Sequence, residues 1–121
     1  MAFKFEQLKI WQLALDLDGE ISEWVKSFPK EELYVLASQM KRAADSVVLN
    51  ITEGSILQSK KEFARFLIIA NRSALEVIAC LYLSRKRRLI DAIQFKYFYD
   101  NYEKLVVMVQ ALIRTLHDDE K

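Results

Sequence analysis

The side chains with the most chemistry to offer in this chain are cations. Lys60, Lys61 and Arg65 stand close together, and Arg85, Lys86, Arg87 and Arg88 follow farther along. If one helix carries both groups, a rise of about 1.5 Å per residue sets them on the order of 30 to 40 Å apart. Such clusters can bind phosphates, gaining affinity from the counterions released. The same residues also suit a solvated helix face at one end and a helix C-terminus, where the dipole favours positive charge, at the other. Both readings fit these residues.

A second set of polar residues, Gln39, Arg42, Ser46, Asn50 and Glu53, recurs at helical steps beside an apolar stripe. That stripe is Leu33, Leu36, Ala37, Met40, Ala43, Ala44, Val47, Val48 and Ile51, and Gly54 is read as ending the helix. As a structural network, Arg42 would pair with a carboxylate while Asn50 and Glu53 bond groups near the Gly54 turn and fix helix register. As a contact surface, the row would bind another subunit or a ligand.

Catalytic chemistry is hard to assemble. The sequence holds one histidine, His117, followed by Asp118 and Asp119, which reads as a solvated residue or a partner for a helix C-terminus. A di-iron bundle needs Glu-x-x-His pairs on facing helices, and these are missing from the sequence. So are a Cys-His pair, a Ser-His-Asp set, a glycine-rich phosphate loop and zinc-type spacing. The expectation is a protein that is not an enzyme, with no catalytic residue, metal ligand or cofactor. Cys80, among Ala79, Leu81 and Leu83, reads as a buried inert thiol suited to a reducing cytoplasm.

The elements that must position these residues are helices. With 2 Gly and 1 Pro among 121 residues, little material is left for turns, so long elements with short connections are favoured. The first helix is expected from Phe5 to Ser27 with Leu8, Trp11, Leu15, Ile21, Trp24, Val25 and Phe28 near one face, closed by Phe28-Pro29. The second starts near Lys30 or Glu31 and runs to Gly54. Ser59-Lys60-Lys61-Glu62 is a capping box opening a third helix that ends in Arg85–Arg88. Asp91 with Gln94 opens the fourth, carried by Tyr97, Phe98, Tyr102, Leu105, Val109, Leu112, Ile113 and Leu116.

Helices of similar length on short loops can only be antiparallel neighbours, so the expected fold is all-α, an antiparallel up-down-up-down four-helix bundle. Residues 1–121 form one domain on this reading. Ala43, Ala44 and Ser46 on the second helix and Ala70, Ser73 and Ala74 on the third should make these two pack closest. The opening residues, AFKFEQLKIW, mix charges into every turn, so no signal peptide or membrane span is expected and the protein is read as cytoplasmic.

Charge is unevenly shared. Residues 1–34 hold 4 basic and 7 acidic side chains, residues 35–88 hold 10 and 4, and residues 89–121 hold 4 and 6, so the middle hairpin is the basic half. Tyr82, Phe95, Tyr99 and Met108 fall off the main apolar stripes and are expected at an oligomer interface.

Motifs across nearly the whole chain resemble a known family. Gln39, Arg42, Ala43, Ala44, Ser46, Val47, Asn50, Ile51, Glu53 and Gly54 match Q-x-x-R-A-A-x-S-(V/I)-x-x-N-I-x-E-G. Phe5, Leu8, Ile10, Trp11 and Ala14 match F-x-x-L-x-(I/V)-W-x-x-A; Phe28, Pro29, Glu32 and Tyr34 match F-P-x-x-E-x-Y; and Phe63, Phe66, Leu67, Ile69 and Ala70 match F-x-x-F-L-x-I-A. These patterns resemble the small four-helix bundle proteins encoded in intervening sequences of bacterial 23S rRNA genes. Two positions depart: Thr52 where the family usually has alanine, and Arg72-Ser73 where it commonly has Gly-Ser. Arg72 then either loosens the packing of the third helix or faces outward. The resemblance implies a closed cyclic homo-oligomer, typically pentameric, as in the related accessory bundles of diversity-generating retroelements. RNA is the partner that family context favours, with DNA or a nucleoprotein also open. The leading expectation is thus a ring-forming bundle offering a basic surface to nucleic acid. Its alternative is a structural or protein-interaction module whose basic residues serve solubility, and a ligand- or metal-binding bundle ranks third.

Overall fold

The computed structural model describes residues 2–119, and among them no strand occurs. Four helices pack against one another in an up-down-up-down bundle: α1 (Lys9–Val25), α2, α3 (Lys60–Lys86) and α4 (Ala92–Asp119). Helix α2 is composite, an α turn Lys30–Glu32, a π turn Leu33–Ala37 and a long α stretch Ser38–Ser55.

The first helix starts later than its periodicity predicts. A 3-10 turn, Lys4–Gln7, precedes it, and Leu8 is extended with ψ 125°. The break folds the N-terminal turn back onto α1, where the Phe5 ring meets Trp11 edge-on at 5.0 Å and Phe3 stacks on Phe5. The buried face of α1 also sits slightly around from the expected one. It runs Ile10, Ala14, Leu17, Ile21 and Trp24, while Leu15 faces solvent.

Helix α2 corrects two expectations. The apolar stripe gives no sign of the π turn, which leaves Leu33 exposed instead of in the core. Gly54 does not stop the helix, which continues to Ser55, nor does it adopt a left-handed conformation. Its role is close approach: a Cβ there would lie 2.8 Å from Phe66 Cβ and 2.9 Å from Phe63 Cδ1. Nearby, Thr52 accounts for its own departure from the family pattern. Its hydroxyl accepts a hydrogen bond from Trp11 Nε1 at 2.8 Å and donates to the Val48 carbonyl, tying α1 to α2.

The starts of α3 and α4 are as expected. Ser59 Oγ accepts from the Glu62 backbone N–H, and Asp91 Oδ1 accepts from that of Gln94 at 2.7 Å. The α2–α3 seam is the closest in the bundle, lined by buried Ala43, Ala44, Ala70 and Ala74 and bridged by the Ser46 and Ser73 hydroxyls at 2.8 Å. Arg72 faces outward, so the seam keeps its closeness despite the missing glycine. Helix α3 is long and apolar enough to cross a membrane by length and composition. Arg72 and Glu76 interrupt it, however, and α2 and α4 cover its inner face, as befits the core helix of a water-soluble bundle. Tyr102, Leu105, Val109, Leu17, Ile21, Met40, Ile51, Leu67 and Leu81 are fully buried at the centre.

The off-stripe aromatics are arranged differently from expectation. Phe95 is buried, with Tyr82 edge-on to it at 5.2 Å and Tyr99 stacked at 5.9 Å. Tyr99 and Met108 are half-buried against the core, whereas Tyr82 remains exposed. The α3–α4 seam supplies partners from another helix that single-helix periodicity cannot show.

Candidate functional site

The two basic clusters lie at opposite ends of α3 and differ in how far their charge is spent. At the start, Arg65 donates from Nε and Nη2 to Glu62 Oε2 and lies over the Phe66 ring. Lys60 is also engaged, and Lys61 is exposed. At the other end, Arg87 Nη1 donates to Glu32 Oε1 at 2.9 Å, fastening the end of α3 to the start of α2. Arg87 therefore serves the fold, whereas its neighbours do not share its carboxylate.

The chain turns sharply at this end. The Leu89 N–H reaches back to the Ser84 carbonyl at 2.8 Å and the Arg88 N–H to that of Arg85 at 3.1 Å, the paired bonds of a Schellman ending. Its left-handed position, usually glycine, is occupied by Arg88 with φ 60°. A side chain there costs about 1 kcal/mol against the following carbonyl. The Arg85 guanidinium lies over the Phe95 ring, 4.8 Å from its centroid, and among the described residues neither Lys86 nor Arg88 has a carboxylate partner. Tyr82, Arg85, Lys86 and Arg88 together line an open cleft of about 540 Å³. The structure thus brings Arg85, Lys86 and Arg88 onto one aromatic-edged surface, sets Arg87 aside, and leaves Lys60, Lys61 and Arg65 at the far end.

The polar row divides. Asn50 Nδ2 donates to the Ser46 carbonyl at 2.8 Å and its hydroxyl at 3.0 Å, so Ser46, Ser73 and Asn50 form a small network in the α2–α3 seam. Gln39 makes a long, exposed bond to Glu76. Arg42 and Glu53 are exposed and, among the described residues, have no hydrogen-bonding or ionic partner, contrary to the network expected around Gly54. Arg42 instead lines a cleft of about 470 Å³ with Leu33, Tyr34, Ser38, Lys41 and Asp45.

His117 is exposed on the last described turn. Cys80 is buried, and desolvation, with the Glu76 charge adding to it, pushes its thiol up to about 11, so thiolate chemistry is suppressed. Among the described residues no group of three or more His, Cys, Asp or Glu side chains could hold a metal ion.

One arrangement has no signal in the sequence. The half-buried Asp18 on α1 meets Asp45 on α2, and burial, then the hydrogen bond to Asp45 and its charge, push Asp18 up to about 7, with Lys41 opposing. Close by in the field of these acids, the Tyr102 hydroxyl is buried without a partner. Burial raises its pKa above the ordinary tyrosine range. Nothing local in either helix indicates that the two aspartates meet.

No curated protein matches the chain. Its relationship comes from a family model, that of the 23S rRNA-intervening sequence protein, which matches residues 6–111, and the chain belongs to that family.

Proposed function

We propose that this protein is a non-enzymatic, cytoplasmic, homo-oligomeric accessory protein that binds RNA through phosphate contacts at the C-terminal end of α3. The observation that carries this reading is Arg88. A helix ending that favours glycine holds an arginine in a strained conformation, beside Lys86 and Arg85 and next to the exposed Tyr82 ring. Strain kept where glycine would relieve it supports a role for the side chain beyond folding. The combination of cations with an aromatic face suits phosphate and an unstacked base. Lys60, Lys61 and Arg65 would extend the contact along α3, weakened by the Glu62 pairing. Family membership supports an rRNA context and, through the resemblance described above, a ring of five subunits that repeats the cluster and multiplies weak contacts.

The test is fluorescence anisotropy of a labelled structured RNA against the wild type and an Arg85→Gln, Lys86→Gln, Arg88→Gln variant. The variant should bind weaker across RNA sequences alike, with its salt slope reduced by roughly one unit for each phosphate that is no longer neutralised. No RNA or DNA binding by the wild type at about 50 mM salt, where such contacts are strongest, would leave the protein-interaction module in place of this reading.

A further inference from the structure

The start of α2 carries three consecutive apolar residues that the bundle does not use. Leu33, Tyr34 and Val35 are 37, 86 and 57% exposed. They sit on the π turn, a rare form that is frequent at functional sites. An outward apolar run of this kind is a liability unless something covers it. Lys41, Arg42 and Asp45 stand beside it; Lys41 lies in the field of Asp18, whereas Arg42 has no ion-pair partner among the described residues.

A complementary groove lies between α1 and α4. It encloses about 680 Å³ over the buried rings of Trp24 and Phe98. Ile93, 84% exposed, and Tyr97 form one wall, and Glu20 and Glu23 the other. The groove is thus apolar at its floor and acidic at its edge, and the run on α2 is apolar at its tip with one unpaired cation, Arg42, at its base.

We infer that the Leu33–Val35 knob of one copy seats in the α1–α4 groove of a second copy, with Arg42 facing Glu20 and Glu23. This rests on the self-association proposed above and assigns its interface. Because α2 runs antiparallel to α1 and α4 starts beside the end of α1, the start of α2 lies level with the end of α1 and the start of α4. Knob and groove are therefore at the same height on different sides of the bundle. A head-to-tail contact between points at one height has no built-in climb, which a closed ring requires, and the ring closes where the rotation per subunit divides a full turn. Aromatic tips ringed by charge are also the composition of protein interfaces.

The experiment is light scattering at micromolar concentration on wild type, Tyr34→Asp and Ile93→Lys. Both substitutions fall on exposed side chains, and far-UV circular dichroism checks that each variant stays helical. Each variant by itself should fall to the 14.2 kDa of one subunit. An equimolar mixture should give a 1:1 dimer and nothing larger, since one intact knob meets one intact groove. A variant that keeps the wild-type mass overturns this interface while leaving self-association standing. Two monomeric variants that do not pair when mixed also overturn it. A monomeric wild type removes the interface and the self-association reading together.

Discussion

Arg88 occupies the left-handed position of a Schellman ending, and its replacement by glycine separates folding from binding in one substitution. The side chain at φ 60° costs about 1 kcal/mol that glycine would not. Glycine gives back part of this gain by freeing the unfolded chain, so the net expectation is a stabilisation of about 0.5 kcal/mol. For a chain this size that is roughly 2 °C in Tm. Both backbone bonds of the ending, Leu89 to Ser84 and Arg88 to Arg85, survive the change because neither uses the side chain. Thermal and urea unfolding followed by circular dichroism would read the gain. The same variant should bind structured RNA more weakly and with a salt slope lower by about one unit. A loss of stability would refute the reasoning, since it would show that the Arg88 side chain supports the fold. Unchanged RNA affinity would refute its place in the cleft.

Gly54→Ala should destabilise by about 1 to 3 kcal/mol, because Phe66 Cβ and Phe63 Cδ1 at 2.8 and 2.9 Å leave no room for a methyl group; an unchanged urea midpoint would show that the seam yields freely. Asn50→Ala should cost about 1 kcal/mol through the bonds to Ser46, whereas Glu53→Ala, exposed and without a partner, should stay within about 0.5 kcal/mol. Equal destabilisation in the two urea titrations would contradict the division of the polar row. Asp18 binds its proton more tightly folded than unfolded, from an ordinary value of 3.8 up to about 7. Its contribution is therefore full below about pH 4 and is lost as pH rises through about 7. Asp18→Asn should be gaining stability on the wild type from about pH 5 to 8, and parallel curves for the two proteins would show that the pair does not share a proton.

The four helices are legible in the chain because apolar periodicity is a local signal, as are the caps at Ser59 and Asp91. Features set by contacts between distant segments are not. The break at Leu8 follows from Phe5 folding onto Trp11, and the burial of Phe95 follows from Tyr82 and Arg85 on another helix. Gly54 is ambiguous because a glycine serves equally as a stop and as a gap for a neighbour, and the stretch itself does not say which. The same limit applies at the candidate site. Four consecutive cations look equivalent in the sequence, yet Glu32, far away along the chain, engages Arg87, and the backbone turn singles out Arg88. The Asp18–Asp45 contact likewise exists only once α1 lies on α2.

The central claim, an oligomer that binds RNA through repeated phosphate contacts, is tested most directly by molar mass. Light scattering would be run with and without a structured RNA, at about 50 mM and about 200 mM salt. The expected result is a free mass that is a multiple of 14.2 kDa, five subunits by family resemblance, rising by bound RNA at low salt and releasing it at the higher salt. A mass of one subunit that RNA leaves unchanged at both salts would contradict the account.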